Sequence, residues 1–148
     1  MSPATPRVTV DTSVVVKWFF DEPHAADALR LRERCRTGGW VAVAPDLIYP
    51  EFGNVVWKRV VFEGLDPEDG AAVLAAFSAL PLEIVPSLPL LPTAYRLGVE
   101  LRQSVYDGVF LAASLAAEAD FVTADEALYQ AVRGRFPRVR WLPTWPDA

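Results

Sequence analysis

The sequence predicts an α/β fold with a central, mainly parallel sheet flanked by helices. Three observations carry this. Short β-branched runs alternate with helical patterns from one end to the other, the order that βαβ units produce. Thirteen prolines and eight glycines punctuate the chain into short elements. The hydrophobic fraction is 52%, as a sheet covered on both faces requires. With 148 residues the chain predicts one domain spanning 1–148, its core running from about 8 to 141.

Val8 to Val10 reads as the first strand and ends on Asp11, followed at once by Thr12 and Ser13. Val14 to Phe20 reads as a helical turn or short helix. Pro23 suits the first position of the next helix, from His24 to about Arg36, which Gly38-Gly39 ends. Trp40 to Ala44 alternates like a strand. A helix follows from Leu47 to about Phe62, with Pro50 tolerable only in its first turn and Gly64 as its stop. Asp66-Pro67-Glu68-Asp69 combines a cap, a proline and early acids, and starts a helix continuing to Leu80. Leu82 to Val85 is a third strand. Helices from Pro92 to Gln103 and Val105 to Ala119 follow, then a strand at Phe121 to Thr123. A helix from Asp125 to Arg133 and a strand at Val139 to Trp141 complete the order.

Composition removes several function classes. No apolar run reaches the roughly 18–20 residues of a membrane span, and Val109 to Ala117 is about half that length. Met1 to Arg7 lacks the basic-then-apolar pattern of a signal peptide. One cysteine, Cys35, allows no intrachain disulfide, so a reducing cytoplasm is expected. The net charge of −5 argues against bulk electrostatic binding of nucleic acid, unless the acids hold a divalent ion that reverses the local field. Twelve of the 14 basic residues are Arg, whose planar fork suits phosphate, although coding bias accounts for this more simply.

Four acids give the chain its chemistry. Asp11 follows a strand that must be buried, at the sheet edge where open α/β folds bind ligands. Glu51 lies in an apolar helix, where a carboxylate needs a partner or a metal, with Asn54 three residues on and on the same face. Asp107 is the only charge between Arg102 and Glu118, in a helix apolar nearly all round. Asp125 follows the strand ending at Thr123, in the same setting as Asp11. Each acid has a plainer reading: Asp11, Asp107 and Asp125 could cap helices, as could Ser104 and Thr123, and Glu51 could answer a helix dipole. Four acids in one crevice, however, would repel one another and raise each other's pKa. They make sense around Mg²⁺ or Mn²⁺, which prefer hard oxygen ligands and can hold a phosphate, activate water and stabilise a leaving oxygen. Metal-assisted phosphodiester hydrolysis is the chemistry that follows.

Other chemistries lack their residues. His24 is the only histidine, sits at a helix start, and reads as a surface or capping residue. A His/Cys zinc site is therefore excluded by number, and Ser-His-Asp catalysis lacks a nucleophile-elbow pattern. There is no Gly-rich phosphate loop. The only lysines, Lys17 and Lys58, come too early for the late Lys expected of a phospho-receiver or an acid-nucleophile phosphatase.

With these residues assembled, the sequence resembles PIN domains, and specifically VapC-type toxins of type II toxin–antitoxin pairs. The stretches that carry the likeness are Val10 to Phe19, Pro45 to Lys58, Tyr106 to Ala113 and Val122 to Leu128, so that it spans roughly Val8 to Trp141. It implies a PIN-like three-layer fold and a Mg²⁺- or Mn²⁺-dependent endoribonuclease. By resemblance Asp11, Glu51, Asp107 and Asp125 form the acidic quartet, with Asp11 and Asp107 the direct metal ligands. Glu51 and Asp125 would bind directly or through water, Ser13 would support the quartet, and Asn54 would be a polar neighbour. The resemblance also implies an RNA substrate, a homodimer, and a cognate VapB-type antitoxin that reaches an Arg or Lys into the acidic pocket. Gly108 departs from the Ala more usual there, which should weaken the helix start slightly without touching the chemistry. Trp18, Phe19, Phe20, Tyr49, Phe52 and Trp57 would serve a dimer or antitoxin surface, or simply pack in the core. The alternative function is a catalytically silent PIN-like module whose acidic pocket serves assembly. A third, a phosphatase-like enzyme, predicts turnover of small phosphomonoesters.

Overall fold

The computed structural model describes residues 4–147. Five strands form one sheet: β1 (Arg7–Val10), β2 (Val41–Pro45), β3 (Glu83–Val85), β4 (Asp120–Thr123) and β5 (Val139–Trp141). Every pairing is parallel and the spatial order is β3-β2-β1-β4-β5. The chain runs outward from β1 to β3, then returns to the other side of β1 for β4 and β5. That reversal opens a crevice beyond the carboxyl ends of β1 and β4. Register brings Val10 beside Val122, so the residues after them, Asp11 and Thr123, sit side by side where the crevice opens.

Seven helices flank the sheet among the described residues: α1 (Thr12–Val15), α2 (Ala25–Arg36), α3 (Ile48–Glu63), α4 (Pro67–Ser78), α5 (Leu91–Leu101), α6 (Val105–Ala117) and α7 (Glu126–Val132). None is long and apolar enough to cross a membrane. The helix expected over Val14 to Phe20 is shorter, because α1 tightens into a 3₁₀ turn at Val16–Trp18. The helix expected from His24 begins one residue later. Pro23 lies outside it and His24 takes the left-handed conformation (φ 69°), giving α2 a sharp entry without a side-chain cap. In β2 the alternation expected from Trp40 gives way to unbroken burial from Ala42 to Pro45, as suits an inner strand covered on both faces.

The core is built to hold the site. Phe52 is fully buried, stacks on Phe77 at 4.1 Å and tilts against Phe19 at 5.4 Å. These contacts fix the first turns of α3, and with them the neighbouring Glu51. Residues Gly108 to Ser114 of α6 are all buried, as the sequence predicts. This helix lies across β1, β2 and β4, and α5 packs against it. The aromatic residues divide: Trp18 and Phe52 are core, Phe19 and Phe20 pack against it, and Tyr49 and Trp57 are exposed.

One core position works against stability. Thr9, at the centre of β1, is wholly buried, and its hydroxyl finds no hydrogen-bond partner among the described residues. An orphaned buried hydroxyl carries its desolvation cost uncompensated. Thr9→Val keeps the shape and the β-branch, and is expected to stabilise the protein by about 1 kcal/mol in chemical denaturation.

Candidate functional site

Asp11 ends β1 and caps α1, its carboxylate accepting from the Val14 amide at 3.3 Å. Ser13 Oγ donates to Oδ1, and Thr123 Oγ1 donates to Oδ2 at 2.6 Å. Ser13 Oγ in turn accepts from the Ala124 amide at 3.0 Å, and Thr123 Oγ1 accepts from the Asp125 amide at 3.0 Å. This lattice ties the end of β1 to the end of β4. Asp125 caps α7, accepting from the Leu128 amide at 3.1 Å. The capping roles of Asp11 and Asp125 are therefore real, and they orient carboxylates that also line the crevice.

The other two acids come from helices. Ser104 caps α6 by accepting from the Asp107 amide at 3.1 Å, which sets Asp107 in the first turn. Glu51, in the first turn of α3, accepts from Thr12 Oγ1 at 2.7 Å. A hydroxyl adjoining Asp11 thus orients Glu51 from across the crevice.

Electrostatics link the four. Burial pushes the Asp11 carboxyl up to about 6, against the pull of its hydroxyl donors, and the negative charge of Asp125 adds to the rise. Burial raises Glu51, with a further push from Asp107. It raises Asp107 as well, with a push from Asp125. Among the described residues none of the four forms an ion pair. The two cations nearest to Asp11 in the chain are engaged elsewhere, Arg7 by Glu83 at 2.7 Å and Lys17 by Glu22 at 3.1 Å. Uncompensated, mutually repelling carboxylates at a sheet edge are a demand for an external cation.

The donor set fits a hard divalent ion, since it consists of carboxylate and hydroxyl oxygens. Among the described residues, no group of three or more acidic, His or Cys side chains is already gathered to hold a metal. Beside the carboxylates runs an open groove of about 560 Å³, with Glu51 and Asn54 on one wall and Tyr106 among its lining residues.

A family model for the PIN domain matches residues 8–134. The chain belongs to the PIN domain family. No curated protein matches its sequence. Among solved structures, the PIN fold here is similar to VapBC2 from Rickettsia felis bound to a promoter DNA fragment: 16% identity, TM-score 0.65, covering 91% of this chain and 96% of that one. It is also similar to Mycobacterium tuberculosis VapC20, described as a sarcin-ricin loop cleaving toxin, at 18% identity and TM-score 0.64, covering 90% and 98%. A third is PAE2754 from Pyrobaculum aerophilum, at 18% identity and TM-score 0.66, covering 95% and 86%.

The PIN fold brings Asp11, Asp107, Asp125 and Glu51 toward one crevice, with Ser13 bonded into it and Asn54 on the adjoining groove. Sequence reasoning singled out the acids but not the parts played by Thr12 and Thr123. Both hydroxyls stand next to or near an acid, but their partners lie 39 and 112 residues away. Only the topology reveals those pairings. His24, set aside as a surface residue, is half exposed beside Asp27 and Trp141.

Proposed function

We propose that this PIN-domain protein is a divalent-metal-dependent endoribonuclease of the VapC type, the toxin half of a toxin–antitoxin pair. The observation that carries the reading is the set of four carboxylates with no cation of their own, around the crevice between β1 and β4. Its support from similar folds is the RNA-cleaving toxin VapC20 and the VapBC2 complex.

Asp11 and Asp107 are the residues that would hold Mg²⁺ or Mn²⁺ directly, and Glu51 and Asp125 would do so directly or through water. Such an ion supplies neutralisation of the phosphate and a lowered pKa for water at neutral pH. The chain's own part is orientation. Ser13 and Thr123 keep Asp11 aimed at the crevice, Thr12 steers Glu51, and the cap at Ser104 sets Asp107. The partners that go with this reading are an RNA substrate, a second copy of the chain, and a VapB-type antitoxin offering a basic side chain to the uncompensated acids. The cytoplasm, where RNA is, is its place of action.

A catalytically silent PIN-like module is the second reading, in which the acidic crevice serves assembly with a basic partner. Purified protein, freed of partners, separates the two when incubated with a structured RNA pool and Mg²⁺, Mn²⁺ or EDTA. Discrete cuts that need metal and fall more than about 100-fold in Asp107→Asn are expected, since losing even an outer partner of a metal ligand costs 10–100-fold. No cuts with either metal, from folded protein, would reject the nuclease.

A further inference from the structure

The groove beside the carboxylates is unlike them. Its walls are mainly apolar, from Val16, Leu47, Pro50 and Val55, with Thr12, Ser13 and Glu51 at the end it shares with the acids, and no cation lines it. With no cation in the lining and Glu51 on its wall, the groove disfavours a phosphate. Tyr106 also lines it, 65% exposed and immediately before Asp107. Asn54, an exposed residue, lines the same space one helical turn after Glu51, and its amide makes no hydrogen bond within the described chain. An amide open to solvent offers a donor and an acceptor side by side.

We propose that this groove is a nucleobase subsite, taking one unstacked base of a single-stranded RNA, with Tyr106 as the stacking face and Asn54 as the reader of the base edge. A base is the occupant these walls suit: neutral, flat, with a π face for the aromatic ring and a polar edge for the amide. Continuity argues for the same occupant. Glu51 belongs both to the groove and to the carboxylate set, and Tyr106 adjoins Asp107, so a base seated here belongs to a nucleotide beside the reacting phosphate. The subsite rests on the ribonuclease reading for its substrate, single-stranded or loop RNA, and it adds a base preference near the cut.

The test measures binding, with Mn²⁺, of short single-stranded oligoribonucleotides carrying a nuclease-resistant phosphorothioate backbone. An abasic residue is scanned through the sequence. The wild-type protein is expected to lose about 5- to 100-fold in affinity when the abasic residue falls at one register. Tyr106→Ala removes that penalty, Tyr106→Phe keeps it, and Asn54→Ala alters the ranking of A, C, G and U at that register. The melting temperature of Tyr106→Ala stays at the wild-type value, because the ring is mostly outside the core. An absence of RNA binding, abasic probes that bind as well as intact ones at every register, or a Tyr106→Ala protein that discriminates like wild type overturns the subsite, the last leaving the groove to a protein segment. The two readings fail separately. Base-dependent binding without any cleavage keeps the subsite and rejects the nuclease, whereas metal-dependent cleavage indifferent to Tyr106 does the reverse.

Discussion

Asp11→Asn will abolish metal-dependent RNA cleavage while making the metal-free protein more stable at neutral pH. Asp11 is 7% exposed and its carboxyl titrates at about 6 rather than 3.8, so at pH 7 the fold carries a buried charge with no cation to offset it. The folded protein therefore holds a proton that the unfolded chain releases between those two values. Stability from this group is full below about pH 3.8 and is lost as pH rises toward 6. The loss is about 3 kcal/mol over roughly two pH units. Glu51 and Asp107 are shifted in the same direction and steepen the slope. An amide at position 11 keeps the shape: its oxygen still accepts from one of the two hydroxyls, and its NH2 donates to the other, which must turn its own proton away. It removes the charge, and with it this share of the pH dependence. Thermal denaturation in EDTA at pH 7 should show Asp11→Asn melting several degrees above wild type, the gap closing toward pH 4. Equal or lower stability of the variant at pH 7 would mean that the charge is compensated by other means.

Gly108→Ala will destabilise the protein by about 2 kcal/mol, although helix propensity alone predicts a gain of about 1 kcal/mol. A Cβ at position 108 would stand 2.3 Å from the Ala94 carbonyl oxygen, a backbone atom of α5 that no rotamer change can clear. Gly98 of α5 is confined to a lesser degree, with the Gln103 carbonyl oxygen of the α5–α6 connection 3.1 Å from where a Cβ would stand. The α5–α6 pair thus packs at backbone contact. A methyl group there pushes α6 away from α5 and moves Asp107, the residue before it. A displacement of about 1 Å can cost on the order of 100-fold in rate, so cleavage should fall along with stability. A lower urea midpoint together with reduced cleavage is the expected pair of results. A variant as stable as wild type would show that α5 can give way.

Gly108 marks where sequence reasoning stopped. In one dimension it is a poor helix former near a helix start, and only the position of α5 makes it a requirement for close packing. The sheet was legible, because helical stretches separate each β-branched run from the next, and so were Asp11 and Asp125, which follow strand ends. Asp107 stood out as a lone charge in an apolar helix, and Glu51 did so on similar grounds. Thr12 and Thr123 were legible as residues but not as partners, because hydrogen bonds across 39 and 112 residues depend on which strands are neighbours. The left-handed turn at His24 left no mark either, since a positive φ at a non-glycine residue is imposed by the chain entering α2 rather than by local preference.

On the proposed function the four carboxylates hold a hard cation. Calorimetric titration of Mn²⁺ into the partner-free protein at pH 7.5 tests it most directly, with Asp11→Asn as the comparison. Saturable binding by wild type, accompanied by a rise in melting temperature and lost in the variant, is the predicted result. No saturable binding, or equal binding by the two proteins, would contradict it and leave the acidic crevice as a surface for a basic partner.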